Sequence, residues 1–396
     1  MLKTYKYRIY PSKAQTTSLE KMLEECRWLY NKLLETRKNA YEQDGKSLGL
    51  YDTQNMIPGW KAERATLKFV HSLVLQNVNI RVDLAFKAFF RRVKAGEEPG
   101  YPRFKGYGRY DSMTYSQYGN GARLDGDRLI LSKLGSIKIK MHRELCGQPK
   151  LVTVRRASTG KWFATISCAP DGGCLPGAES NPLPKSARFA GVDVGLQSFA
   201  TLSTGEKIAN PRFFKKEQDA LAKAQRKMSK LAKGTPERAK CRKVVSRIHE
   251  RITHKRTDFA HQESRRLVNT YGVIVFEKLA IQEMTSQHKQ VFGHKLNQSI
   301  ADVAWSQLAQ FTAYKAADAG RLFLQVDPRN TSKRCSRCQS IVPKDLSVRV
   351  HDCPHCGLRL DRDHNAAINI LALGLQSVNA SLLDEVVEAP GFSPGE

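Results

Sequence analysis

No stretch of the 396-residue chain is long and apolar enough to cross a bilayer, and the opening Met1-Leu2-Lys3-Thr4-Tyr5 lacks the apolar core of a secretory leader. Helical membrane proteins are thereby excluded and residence in the cytoplasm is expected. Acids are scarce: 38 Asp and Glu face 65 Lys and Arg, a formal net charge of +27. Such an excess repels itself unless a polyanion is present. Because the basic stretches alternate with core patterns and form no flanking block, nucleic acid fits better than a membrane surface, and an association with the nucleoid follows. Disulfide-type cysteine spacing is also missing. Cys26, Cys146, Cys168, Cys174 and Cys241 are scattered and read as reduced thiols, while the other four form a pattern taken up below.

What is present is organised around Arg188–Ser203. This run reads as a buried strand, RFAGVDV, interrupted by one acid, then a glycine bend and a returning strand. A carboxylate inside such a strand is costly to desolvate, so Asp193 calls for a counter-charge. Two later stretches bring more acid instead. Val273–Leu279 is an apolar run with Glu277 at its end, and Asp361–Ile370 places Asp361 and Asp363 at a predicted helix N-terminus. Three acids converging at the carboxyl ends of strands in an α/β sheet would need divalent cations between them, Mg²⁺ or Mn²⁺. Any one of these acids alone reads better as a solvated or salt-bridged group; three at apolar strand or helix ends favour the metal site.

The N-terminal part alternates between two textures. Residues 2–10 form a half-buried strand with a basic outer face, and helical spacing then begins at Leu19. After a break between Asp44 and Gly59, a second helical pattern runs over 70–94. From Gly100 to Ala169 strands return, with hairpin signals at Asp125-Gly126-Asp127 and Ser158-Thr159-Gly160. A small barrel (1–11 and 100–180) interrupted by a helical insertion (12–99) is expected, followed by a Gly/Pro-rich linker at 171–186. Tyr101–Tyr110, which contains Arg103, Phe104 and Lys105, interleaves rings with cations. It reads either as a platform for unpaired bases or as a loop covering the barrel. A helical hairpin over 214–270 follows, with fifteen Lys/Arg against four Asp/Glu between Lys215 and Arg256. Arg226, Lys227, Arg242 and Lys243 are its candidate backbone contacts. The acidic tail, 377–396, is expected to be disordered.

Cys335-Ser-Arg-Cys338 and Cys353-Pro-His-Cys356 are CxxC pairs separated by fourteen residues, the spacing of a zinc ribbon over 330–358. Four thiolates would close the shell of a structural Zn²⁺ site. Gln339 follows the first pair where Gly357 follows the second, which predicts a strained turn.

The motifs GVDVG, FEKL and DRDHNAA, with the cysteine insert before the third, resemble the TnpB family, insertion-sequence-encoded RNA-guided nucleases related to compact type V CRISPR effectors. The resemblance implies an α/β multidomain protein. Its RuvC-like (RNase H-like) nuclease would occupy 181–329 and 359–376, with an inserted zinc ribbon, and the barrel would be a wedge domain carrying a recognition lobe. It implies Asp193, Glu277 and Asp363 as catalytic Mg²⁺ ligands and cleavage leaving a 5′-phosphate and a 3′-hydroxyl. It further implies a guide RNA, a double-stranded DNA target and a short flanking motif near Tyr51, Gln76 and Asn77, in a monomer bound to RNA. Two other classes stay open: a guided DNA-binding regulator that does not cut, and a guide-independent nuclease or transposase.

Overall fold

The computed structural model describes residues 3–169, 188–278, 305–345 and 348–378, which divide into two compact units between Leu175 and Pro176. The expected linker and nearly all of the acidic tail lie outside the described residues. Among those described, no helix is long and apolar enough to span a membrane.

The first unit opens with β1 (Lys3–Tyr10), whose Tyr5, Tyr7 and Ile9 are buried while alternate residues face outward. Ser12 then caps α1 (Lys13–Asp44) in a reciprocal box with Gln15, and Gly45 ends it in the left-handed conformation that glycine adopts freely. Helix α2 (Leu50–Glu63), a 3-10 turn (Ala65–Phe69) and α3 (Ser72–Lys94) complete the helical insertion. The expected break between Asp44 and Gly59 is therefore too long, since α2 begins at Leu50 and carries Pro58 inside it. Proline costs that helix one hydrogen bond, but Thr53, Ile57 and Trp60 bury its face and keep it continuous.

Strands β2 (Ser112–Tyr115), β3 (Ala122–Asp125), β4 (Arg128–Leu131), β5 (Gly135–Lys140), β6 (Gln148–Arg156) and β7 (Trp162–Ala169) join β1 in one antiparallel sheet of order β2-β6-β7-β1-β5-β4-β3. The opening strand thus lies between β7 and β5, as expected, and both predicted hairpins form, with β2 and β3 at the sheet edges. One sequence expectation fails in this unit. Cys146 is disulfide-bonded, whereas Cys26 and Cys168 are free; spacing alone does not reveal pairing between distant cysteines.

The second unit is built on a five-stranded sheet of order β10-β9-β8-β11-β12: β8 (Phe189–Val194), β9 (Ser198–Leu202), β10 (Lys207–Ala209), β11 (Val273–Glu277) and β12 (Leu322–Val326). Strands β8, β11 and β12 run parallel, while β9 and β10 fold back antiparallel. Between β10 and β11 lies the predicted hairpin, α4 (Phe213–Ser229) and α5 (Pro236–Thr270), clasped by Leu221, Ile248 and Ile252. Helix α6 (Trp305–Asp318) precedes β12, and the small ribbon of β13 (Val350–Asp352) and β14 (Arg359–Asp361) leads into α7 (Arg362–Gln376). Strand order reverses at β8 and β11, where the chain leaves in opposite directions, and a crevice opens at the carboxyl ends of those strands.

Candidate functional site

Asp193 is the penultimate residue of β8 and Glu277 the last of β11. Phe276 is in register with Val192, so the next residues, Glu277 and Asp193, stand level on adjacent parallel strands. Asp363 arrives on the first turn of α7, and two glycines determine how closely that helix approaches the sheet. A Cβ on Gly191 would lie 2.1 Å from the Ala367 carbonyl oxygen, and one on Gly374 would lie 2.5 Å from the Val275 methyls. Only hydrogen fits at either point.

The carboxyls of Glu277 and Asp363 stand near enough to Asp193 to bear on its charge. Burial, then the charges of Glu277 and Asp363, push the Asp193 carboxyl well above the ordinary carboxylate range, with Arg362 pulling the other way. Burial and then Asp363 raise Glu277 to about 7. Arg362 Nη2 lies 3.1 Å from Asp363 Oδ1, one guanidinium against three carboxylates. Asp361 has a different task. Its Oδ1 accepts from the backbone N–H of Asp363 and His364 at 3.1 Å each, and its Oδ2 pairs with Lys207 Nζ at 2.7 Å. It caps the helix that carries its neighbour.

The four cysteines form a tighter cluster. Among the described residues they are the only group of three or more such side chains whose ligand atoms all lie within 4.8 Å of one another. Cys335 and Cys356 sulfurs are 3.6 Å apart, and Cys338 and Cys353 sulfurs 3.5 Å. A tetrahedral Zn²⁺ with bonds of about 2.3 Å places its sulfurs about 3.8 Å apart, so the cluster has the geometry to hold such an ion. The two knuckles match bond for bond: Gln339 N–H donates to the Cys335 carbonyl as Gly357 N–H does to that of Cys353. Gln339 takes φ +64°, the strained turn that its sequence position predicts. Buried His351 contacts Lys344 through Nδ1, and all four sulfurs face one another without it.

Two residues missed in the sequence join cluster to helix. Asn365 Oδ1 accepts from Ser336 N–H at 2.9 Å and its amide donates to the Arg334 carbonyl at 2.8 Å. Asn369, one turn on, donates to the carbonyls of Thr331 and Arg334 at 2.8 and 2.7 Å. Both side chains are essentially fully buried. An Asn pair at i, i+4 on an apolar helix face was the available signal, because buried amides require partners.

The candidate nucleic-acid residues are displayed outward. Tyr51 is 80% exposed on α2, and Gln76 is exposed on α3, while Asn77 accepts from Arg81. Buried Asn79 donates to the Leu50 carbonyl, tying the start of α2 to the turn of α3 that carries Gln76. Arg103 and Phe104 face solvent, while the Lys105 backbone is fastened to α1: its N–H donates to Asn31 Oδ1, and its carbonyl accepts from Asn31 and Arg27. The rings of Phe104 and Tyr107 therefore do not cover the sheet. On the second unit, Arg226, Lys227, Arg242 and Lys243 are all exposed, and Glu217 pairs with Arg251 and Lys255 at 3.2 and 3.0 Å.

Residues 174–287 match the family described as a probable transposase, OrfB of IS605 type, and residues 305–370 the Cas12f1-like TNB domain. Residues 1–46 match a family described as a helix-turn-helix domain, although here they form a strand and one uninterrupted helix. A Streptomyces pristinaespiralis protein provisionally named an RNA-guided DNA endonuclease is 35% identical over 94% of this chain and 89% of its own length. The Escherichia coli K12 protein InsQ, with the same provisional name, is 30% identical over 94% and 92%. The CRISPR-associated endodeoxyribonuclease Cas12f1 of Sulfoacidibacillus thermotolerans is 28% identical over 38% of this chain and 34% of its own. With the acid triad, the four-cysteine cluster and relatives that span it almost end to end, the chain belongs to the TnpB family of RNA-guided DNA endonucleases.

Proposed function

We propose that the protein cuts double-stranded DNA under the direction of a guide RNA and a short flanking DNA motif, hydrolysing phosphodiester bonds at Asp193, Glu277 and Asp363 to leave a 5′-phosphate and a 3′-hydroxyl. The observation that carries this reading is the convergence of three acids from β8, β11 and α7 at the crevice where the strand order reverses. The donors suit Mg²⁺ or Mn²⁺: they are hard carboxylate oxygens, and the repulsion that raises two of them is what a divalent ion relieves. Two such ions, when bound, supply activation of a water and stabilisation of the leaving oxygen. The chain's own part is positioning. Sheet register fixes Asp193 beside Glu277, Arg362 orients the Asp363 carboxylate, and the exposed Arg329 and Lys333 after β12 stand available to a phosphate.

In this reading the second unit is the RuvC-like nuclease and the four cysteines hold a structural zinc. The first unit is a barrel-like wedge whose helical insertion recognises the flanking motif through Tyr51, Gln76 and Asn77. Arg103, Phe104 and Lys105 meet unpaired bases and phosphates, and the α4–α5 hairpin, through Arg226, Lys227, Arg242 and Lys243, follows a nucleic-acid backbone by charge and shape. A non-cutting regulator would have no use for three gathered acids. A guide-independent nuclease would carry no defined RNA.

Plasmid cleavage with Mg²⁺ by the protein purified with its RNA tests the proposal. Asp193→Ala should lower the rate by about 10³-fold or more while guided DNA binding persists, the scale expected for losing several kcal/mol of transition-state stabilisation. Cleavage at the parental rate in that variant overturns it, and recovery of no single RNA species overturns the guided part.

A further inference from the structure

Glu277 forms part of the wall of a cavity of about 250 Å³ between the strand ends and α6, which the acid chemistry leaves unused. Ser306, Ala309, Gln310 and Ala313 recur on α6 at the spacing of one helix face, and all four line it. Three of these are small, so the helix leaves a gap where larger side chains would close it. Across the gap stand Phe276 and Phe323, with ring centroids 5.5 Å apart. Lys315 locks the helix in place, its ammonium donating to the His261 carbonyl and Ser264 Oγ of α5 at 2.7 Å each.

Two polar groups in this wall lack partners among the described residues. Gln310 and Gln325 are exposed, and neither amide has a hydrogen-bond partner among the described residues. An amide presents donor and acceptor side by side, which matches the edge of a base; a phosphate only accepts and would be met by cations. The partly exposed ring of Phe323, backed by buried Phe276, offers a base an apolar face.

We infer that this cavity seats the base of a nucleotide flanking the scissile phosphodiester, with Gln310 and Gln325 as positioning residues that read its edge, an inference that rests on the nuclease reading of the acids. A phosphodiester positioned for cleavage near Glu277, which lines the cavity, would bring its own nucleotide to the opening. Cleavage then carries a local base preference, separate from guide pairing and from the flanking motif.

The test uses the protein with its guide RNA on DNA targets that differ only at the nucleotides on either side of the mapped cut. Parental enzyme should prefer one base at one of these positions by on the order of tenfold, and Gln310→Leu combined with Gln325→Leu should flatten that preference. Ala313→Leu, which fills the gap, should slow single-turnover cleavage of every target by a similar factor without changing guided DNA binding or the melting temperature. A parent with no flanking preference, glutamine variants that keep it, or Ala313→Leu cutting at the parental rate would each overturn the inference. Cleavage surviving in Asp193→Ala would instead sink the nuclease reading on which it stands.

Discussion

Two clusters of metal-type ligands lie within one unit, and they are held at different tightness. Four sulfurs sit within 4.8 Å of one another, whereas the carboxylates of Asp193, Glu277 and Asp363 form no such close-set group. Thiols as a class ionise less readily than carboxylates, so they repel one another less on approach, although hydrogen bonding with Ser340 lowers Cys338 to about 6. Carboxylates repel on approach, and the protein holds them by sheet register and by a helix pressed onto glycine. On the proposed reading the contrast separates a closed structural site, which folding completes, from an open one, which keeps room for ions and substrate.

The comparison breaks most visibly at the sulfurs. Cys353→Ser should lower the melting temperature of the protein by on the order of 10 °C and release zinc, because metal binding and folding are the same free energy at such a site. A variant of normal stability and cleavage would show the cluster to be dispensable. On the acid side the signature is pH. A carboxyl raised on folding contributes stability that is complete below its ordinary value near 4.5 and is lost as pH climbs through about 7, the position of Glu277. Metal-free protein should therefore lose roughly 2–3 kcal/mol between those limits, and Glu277→Gln or added Mg²⁺ should flatten the melting-temperature profile. Superimposable profiles for parent and variant would remove the electrostatic half of the contrast.

The bridge between the clusters can be probed next. Asn369→Ala strands the Thr331 carbonyl and leaves that of Arg334 to Asn365 alone, which should cost about 1–2 kcal/mol, read by denaturant titration, with cleavage falling more than zinc content. Equal losses of both would mean that the amide supports the sulfurs and not the third acid. The smallest effect is a gain. Gln339→Gly relieves a left-handed backbone and should add about 0.5–1 kcal/mol; an unchanged midpoint would show that this knuckle bears no strain.

Much of this arrangement is legible in the residues. RFAGVDVG announces a buried strand because its apolar run is interrupted once and then bent by glycine, and CxxC spacing declares a ligand set before any fold is known. The α4–α5 hairpin is legible from its charge imbalance. Other features depend on contacts that no local pattern carries. Asp361 and Asp363 are indistinguishable by sequence, and only the hydrogen bonds to Asp363 N–H and His364 N–H show that one caps the helix while the other turns inward. Gly191 reads as one more residue of a buried strand, yet its missing side chain is what seats α7. Pro58 signals a break locally, and the burial of Ile57 and Trp60 overrides it.

The order in which the three acids are translated has its own consequence. A nascent chain emerging from the ribosome already carries Asp193 and Glu277, but the helix that delivers Asp363 follows every other strand and helix described. On the proposed assignment of the acids, the nuclease lacks one of its three carboxylates throughout most of its own synthesis, until the last described helix docks.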